Sequence, residues 1–168
     1  MRLEELNRLG LEDAEELLTA CCGSSRWVEG MVARRPFESV EALLAAADEV
    51  WQATGPADRE EAFATHPRIG ETEGRKDGRA QGWSREEQRR AAPVDEETRR
   101  AIAEGNAEYE RRFGRIYIVC ASGRGAEELL ADLRARLDSD PERERARAAE
   151  EQRKIMKIRL RKLVDDVE

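Results

Sequence analysis

One histidine serves the whole 168-residue chain, and it stands directly before a proline in the run Ala64-Thr65-His66-Pro67-Arg68-Ile69-Gly70. An imidazole titrates nearest neutrality, so His66 is the best general acid or base the chain offers. A residue before proline is pushed out of the helical region, which predicts a helix ending at His66 and a side chain of fixed direction at a helix-to-loop junction. Two uses suit such a side chain: closing the helix end, or serving as the acid–base group of an active site. A lone histidine also rules out a multi-histidine metal site. No cysteine cluster replaces it and no strained nucleophile elbow accompanies it, so neither zinc nor a serine triad fits.

The second constellation is Trp83-Ser84-Arg85-Glu86-Glu87-Gln88. Ser84 followed three residues later by Glu87 has the spacing of a capping box, a structural device that opens a helix. The same geometry bunches a hydroxyl, a carboxylate, the Gln88 amide and free backbone N–H groups at one helix start. That suits a polar ligand rich in carbonyl and N–H groups. A third residue of note is Arg159, which follows Ile155 and Met156 by four and three residues and precedes Leu163 by four. It therefore rises from an apolar stripe, and its guanidinium must snorkel, pair with a carboxylate or meet an anionic ligand. Its neighbours Arg153, Lys154, Lys157, Arg161 and Lys162 read as a solvated charged face. Ser122-Gly123-Arg124-Gly125 lacks the spacing of a dinucleotide fingerprint and the end of a P-loop, and reads as the approach to a helix.

The elements that must position these groups read almost entirely as helix. Leu11, Ala14, Leu17 and Leu18 recur at helical steps up to a stop at Gly23. A serine N-cap and the Pro36 stop bracket the next helix, and Val40, Leu43, Leu44, Ala47, Val50 and Trp51 form the clearest stripe, ended by Gly55-Pro56. A short helix follows to His66. Residues 70–82, with Gly70, Gly74, Gly78 and Gly82 among charges, read as a surface loop, and a new helix is expected from Trp83. Further helices run to Gly114, from Gly125, and from Pro141 to the end. The β-prone Ile116–Val119 is the exception, and one short run makes no sheet alone. It is expected to lie extended across a helical core near 116–121, with backbone groups that need partners. The fold class is all-α, as a single domain over 1–168.

Composition sets the outer bounds. Charged residues make up 40% of the chain and hydrophobic ones 39%, at helical spacing, which describes a folded protein with a highly charged surface. A formal charge of −7 argues against nucleic acid or an anionic membrane as partner. Cys21, Cys22 and Cys120 make no disulfide framework, and a reducing compartment fits. No apolar run reaches spanning length and the first residues lack a signal-peptide core, so a soluble, cytoplasmic protein is expected.

Taken in order, His66-Pro67-Arg68-Ile69-Gly70-Glu71, Trp83 to Gln88, Asn106 to Gly114, Tyr117 to Gly123 and Lys154 to Leu160 resemble the OHCU decarboxylase family over nearly the whole chain. OHCU is 2-oxo-4-hydroxy-4-carboxy-5-ureidoimidazoline, the last intermediate between urate and (S)-allantoin. The resemblance implies a cofactor- and metal-free carboxy-lyase, all-helical and often homodimeric, with OHCU as its small-molecule partner. It implies His66 as the catalytic histidine with Pro67 beside it. It further implies Ser84, Arg85, Glu86, Glu87 and Gln88 as a substrate-binding stretch, with Glu87 the essential carboxylate. Tyr117, Ile118, Val119, Cys120 and Ala121 correspond to a segment whose backbone meets the substrate, and Arg159 to an arginine that reaches the site. The chain departs from the family pattern at Tyr117, often phenylalanine, and at Arg115-Ile116, often Phe-Pro. Two rival readings stand beside this one: a helical ligand-binding or adaptor module in which His66 and Glu87 only cap helices, and an enzyme of the same fold acting on another ureido or imidazolone compound.

Overall fold

A computed structural model of the chain describes residues 1–70, 79–91 and 95–164. Among them are nine α-helices and no strand, in agreement with the all-α expectation. None of these helices is long and apolar enough to cross a membrane. The contacts gather into two compact units, Met1–Thr65 with Gln152–Glu168, and His66–Glu151.

The first unit contains α1 (Leu3–Arg8), α2 (Leu11–Cys21), α3 (Ser25–Ala33), α4 (Val40–Gln52), α5 (Pro56–Phe63) and the later turns of α9 (Pro141–Val164). Polar N-caps start two of them: Ser24 accepts from the Trp27 N–H and Ser39 from the Ala42 N–H. The α4 stripe buries Leu43, Leu44, Ala47, Val50 and Trp51 as its spacing demands. α3 packs against α2, α4 and α5, and the Trp27 indole N–H donates to the Ala47 carbonyl at 3.2 Å. The short α1 carries no recognisable periodicity. The Asn7 side-chain amide ties it down by bonding both the N–H and the carbonyl of Phe37, at 2.8 Å each. On α9, Arg153 and Lys157 are not merely solvated, because both hold Asp48 at 2.8 Å. Burial alone would raise the Asp48 pKa, but these two cations outweigh it and hold the carboxyl below its ordinary range.

The second unit contains α6 (Arg79–Glu87), a 3-10 turn (Arg89–Ala91), α7 (Glu96–Phe113), α8 (Ala126–Leu137) and the first turns of α9. Asp95 caps α7 by accepting from Thr98 N–H at 2.7 Å, and Gly114 ends it in the left-handed conformation, φ 72°, where glycine carries no Cβ penalty. Gly105 lets α8 approach closely: a Cβ there would meet Leu133 Cδ2 at 2.6 Å. Residues 116–121 belong to no helix or strand, and Tyr117, Ile118, Val119 and Ala121 of this run are buried.

Two boundaries differ from the sequence reading. The helix expected to run to His66 ends at Phe63, with Ala64 at its C-cap. The helix expected to begin at Trp83 begins at Arg79, so residues 79–82 are helical rather than loop, and the glycine-rich stretch 71–78 lies outside the described residues.

Candidate active site

Three segments of the second unit meet in one apolar cluster: Ile69 from the histidine segment, Ala91 just after α6, and Tyr117, Val119 and Ala121 from the extended run. The polar groups ride on this frame. His66 and Pro67 are half-buried and begin the unit. The segment behind them is clamped to one face of α7, where residues four apart are neighbours. Asn106 Nδ2 donates to the Ile69 carbonyl at 3.1 Å, and Arg68 grips Glu110 with two N–H groups at 3.0 and 2.8 Å. The Gly70 N–H donates to Gln88 Oε1 at 3.0 Å, which joins the histidine segment to the end of α6.

The end of α5 carries bonds of its own ahead of His66. The Ala64 N–H already bonds Glu60, and the Thr65 N–H and hydroxyl both donate to the Ala62 carbonyl, at 3.2 and 2.7 Å. The expected capping box is overturned. Ser84 sits inside α6 and donates its hydroxyl back to the Ala80 carbonyl at 2.9 Å, while Glu87 is the last residue of that helix. Ser84 and Glu87 are buried all the same, at 5% and 9% exposure. Arg85 and Glu86 point to the exposed face, and Gln88 is half-buried.

The extended run is held from one side by a buried arginine that sequence reading passed over. Arg136 Nη1 donates to the Ile118 carbonyl at 2.7 Å, and Nε donates to Glu144 Oε1 at 2.7 Å. Glu144 also accepts from Nη2 of Arg136 and from the Tyr109 hydroxyl. The guanidinium lies 4.7 Å from the Tyr117 ring centroid, a cation–π contact, and the Tyr117 hydroxyl donates to Asp132. Burial first, then the bond to an acidic acceptor, pushes the Tyr109 and Tyr117 pKa values above the usual range. For Arg136 burial works downward, but the Glu144 bond and charge outweigh it and the pKa rises.

Arg159 belongs to the first unit. It is 3% exposed, so it does not snorkel, and its Nη1 donates to the Ala20 carbonyl at 3.1 Å. Burial pushes the Cys22 thiol up to about 12, against a smaller downward pull from Arg159. Among the described residues no group of three His, Cys, Asp or Glu side chains could hold a metal ion.

An all-helical frame among the described residues, with Ile69, Ala91, Tyr117, Val119 and Ala121 drawn into one apolar cluster, defines the class of fold. The chain belongs to the OHCU decarboxylase family, whose model matches residues 7–161. It is 35% identical over 94% of its length to the uric acid degradation bifunctional protein TTL of Arabidopsis thaliana, and spans 49% of that relative. A 2-oxo-4-hydroxy-4-carboxy-5-ureidoimidazoline decarboxylase from Amia calva is 41% identical over 35% of the chain, itself matched over 34% of its length. The chain thus spans about half or less of the curated relatives it matches. A crystal structure of OHCU decarboxylase in the presence of (S)-allantoin superposes with a TM-score of 0.78 at 33% identity, covering 90% of this chain and 99% of that one.

Proposed function

We propose that this chain is a carboxy-lyase that converts OHCU to (S)-allantoin, a step of urate and purine breakdown, and that 1–168 acts as one catalytic domain. The observation that carries the reading is the match of residues 7–161 to the family, and the meeting of Ile69, Ala91, Tyr117, Val119 and Ala121 in one apolar cluster supports it. The urate-degradation names of the relatives and the (S)-allantoin beside the structural neighbour support the substrate class.

The chemistry asks little beyond positioned polar groups. The bond from the hydroxyl-bearing carbon to the carboxylate breaks and carbon dioxide leaves. Its electron pair forms a C=C bond to the adjacent ureido-bearing carbon while the C=N π pair passes to the ring nitrogen, which takes up a proton, so the substrate is its own electron sink and an enol-like intermediate forms. Ketonisation then places a proton on the ureido-bearing carbon. In our reading His66 with Glu87 handles the substrate hydroxyl and the proton transfers, an effect typically worth about 10²–10⁴-fold. Backbone N–H groups of 118–121 bind a carbonyl oxygen, a contribution of about 10²–10³-fold per fixed donor. Pro67, Ser84 and Gln88 line the site. Arg159 binds the carboxylate or a ureido oxygen, on the strength of family correspondence.

The test is turnover of OHCU made fresh by enzymatic oxidation of urate, with the product read by circular dichroism. Uncatalysed decay gives racemic allantoin and no signal, so a growing signal from one enantiomer supports the reading. A folded protein that adds nothing to the background rate sinks it. Arg159→Met should raise KM in protein that still folds; an unchanged KM removes Arg159 from binding. The proposal also includes a cytoplasmic homodimer, to be checked by sedimentation.

A further inference from the structure

We propose that Arg136 is a positioning residue for the reaction: by holding the Ile118 carbonyl it aims the Val119 N–H at the substrate. This inference deepens the proposed function and rests on it. The Ile118–Val119 peptide is planar and trans, so a carbonyl turned toward Arg136 turns the Val119 N–H the opposite way. Val119 is 5% exposed, and among the described residues no acceptor meets its N–H. A buried backbone donor without a partner is rare and costly, which marks this one as reserved for a ligand oxygen.

The fixing of Arg136 itself is unusually complete. Glu144, at 1% exposure, takes two of its N–H groups, Asp132 lies 3.6 Å from a third nitrogen contact at Nη1, and the Tyr117 ring covers its face. Such a guanidinium has one orientation, and the Ile118 peptide inherits it. A lysine could supply the charge but not this planar fork. In the reaction the Val119 N–H would then meet the ring carbonyl oxygen conjugated with the nitrogen that receives charge as carbon dioxide leaves, without reorganising first. The role is orientation, since Arg136 contacts the carbonyl side of the peptide and not the reacting atoms.

Removing Arg136 alone would strand a buried carboxylate and report folding only. The double variant Arg136→Met with Glu144→Gln removes both charges, fills the guanidinium's volume and keeps an acceptor for the Tyr109 hydroxyl. Its melting temperature should stay near wild type, kcat should fall about 100-fold, the scale of one lost fixed donor, and KM should move less than about threefold. A folded double variant with wild-type kcat overturns the proposal. Should that variant fail to fold, wild-type protein labelled with ¹⁵N-valine decides. Saturating (S)-allantoin should shift the Val119 amide resonance and slow its exchange, and a Val119 signal that stays still while allantoin binds overturns the proposal. A wild type inert toward OHCU defeats both readings, whereas an active wild type beside an equally active double variant defeats only this one.

Discussion

His66 stands three residues beyond the last residue of α5, whose final turn Ala64 and Thr65 already close. Asn keeps a hydrogen-bonding side chain at this half-buried position, and His66→Asn should change stability by no more than about 1 kcal/mol. If the imidazole carries the proton, turnover should fall at least about 100-fold and the product should lose its circular dichroism, leaving the racemic background. A folded His66→Asn protein that still makes one enantiomer quickly would remove the histidine from the mechanism. Glu87→Gln keeps the volume of a buried side chain and deletes its charge. It too should keep the fold and lose about 100-fold or more in turnover, measured at saturating OHCU, and near-normal turnover would reduce Glu87 to a structural role. His66 stands out in the sequence as the one imidazole, whereas Glu87 by its spacing alone reads as a capping partner and is singled out only by the family resemblance. Arg136 does not stand out. It reads as one more charge on the polar side of α8, and its partners Glu144 and Ile118 lie 8 and 18 residues away, beyond any local pattern.

At the scale of elements, the misread start of α6 has a plain cause. The serine-to-glutamate spacing of a capping box occurs equally inside a helix, and Gly82, costing roughly 1 kcal/mol within a helix, made residues 79–82 look like loop. The helix forms regardless because its far end is carried into the core by Ser84, Glu87 and Ala91. Strong stripes such as that of α4, and stops such as Gly114, were readable since one face decides them. The pairing of helices was not, because it depends on shape. Gly105 illustrates this: alanine there improves helix propensity by about 1 kcal/mol, yet its Cβ would press on Leu133, itself 1% exposed. Leu133 lies in the packed cluster and has little room to yield, and overpacking costs about 1–3 kcal/mol. Gly105→Ala should therefore lose about 1 kcal/mol net in urea denaturation. A gain in stability would show that α7 and α8 are loosely fitted.

Over the molecule as a whole, three buried acids set its tolerance of alkali. Cys22, Tyr109 and Tyr117 all have pKa values raised above their ordinary positions of 9.0 for the thiol and 10.0 for the phenols, chiefly by burial. The folded chain therefore keeps protons that the unfolded chain releases. Whatever holds these protons contributes fully to stability below the unfolded values and is lost progressively as pH rises above them toward the folded ones. The melting temperature should be nearly level between about pH 7 and 8.5, then fall with increasing slope above about pH 9, where the unfolded thiol and then the phenols ionise. Tyr117→Phe isolates one contribution. It removes an ionisable group but leaves Asp132 beside Arg124 and Arg136, at 3.8 and 3.6 Å. Its melting curve should therefore descend less steeply above pH 10 than that of wild type, with the two curves parallel below pH 9. Parallel curves throughout the alkaline range would mean that the Tyr117 hydroxyl titrates alike in the folded and unfolded chain, and that its bond to Asp132 does not hold the proton.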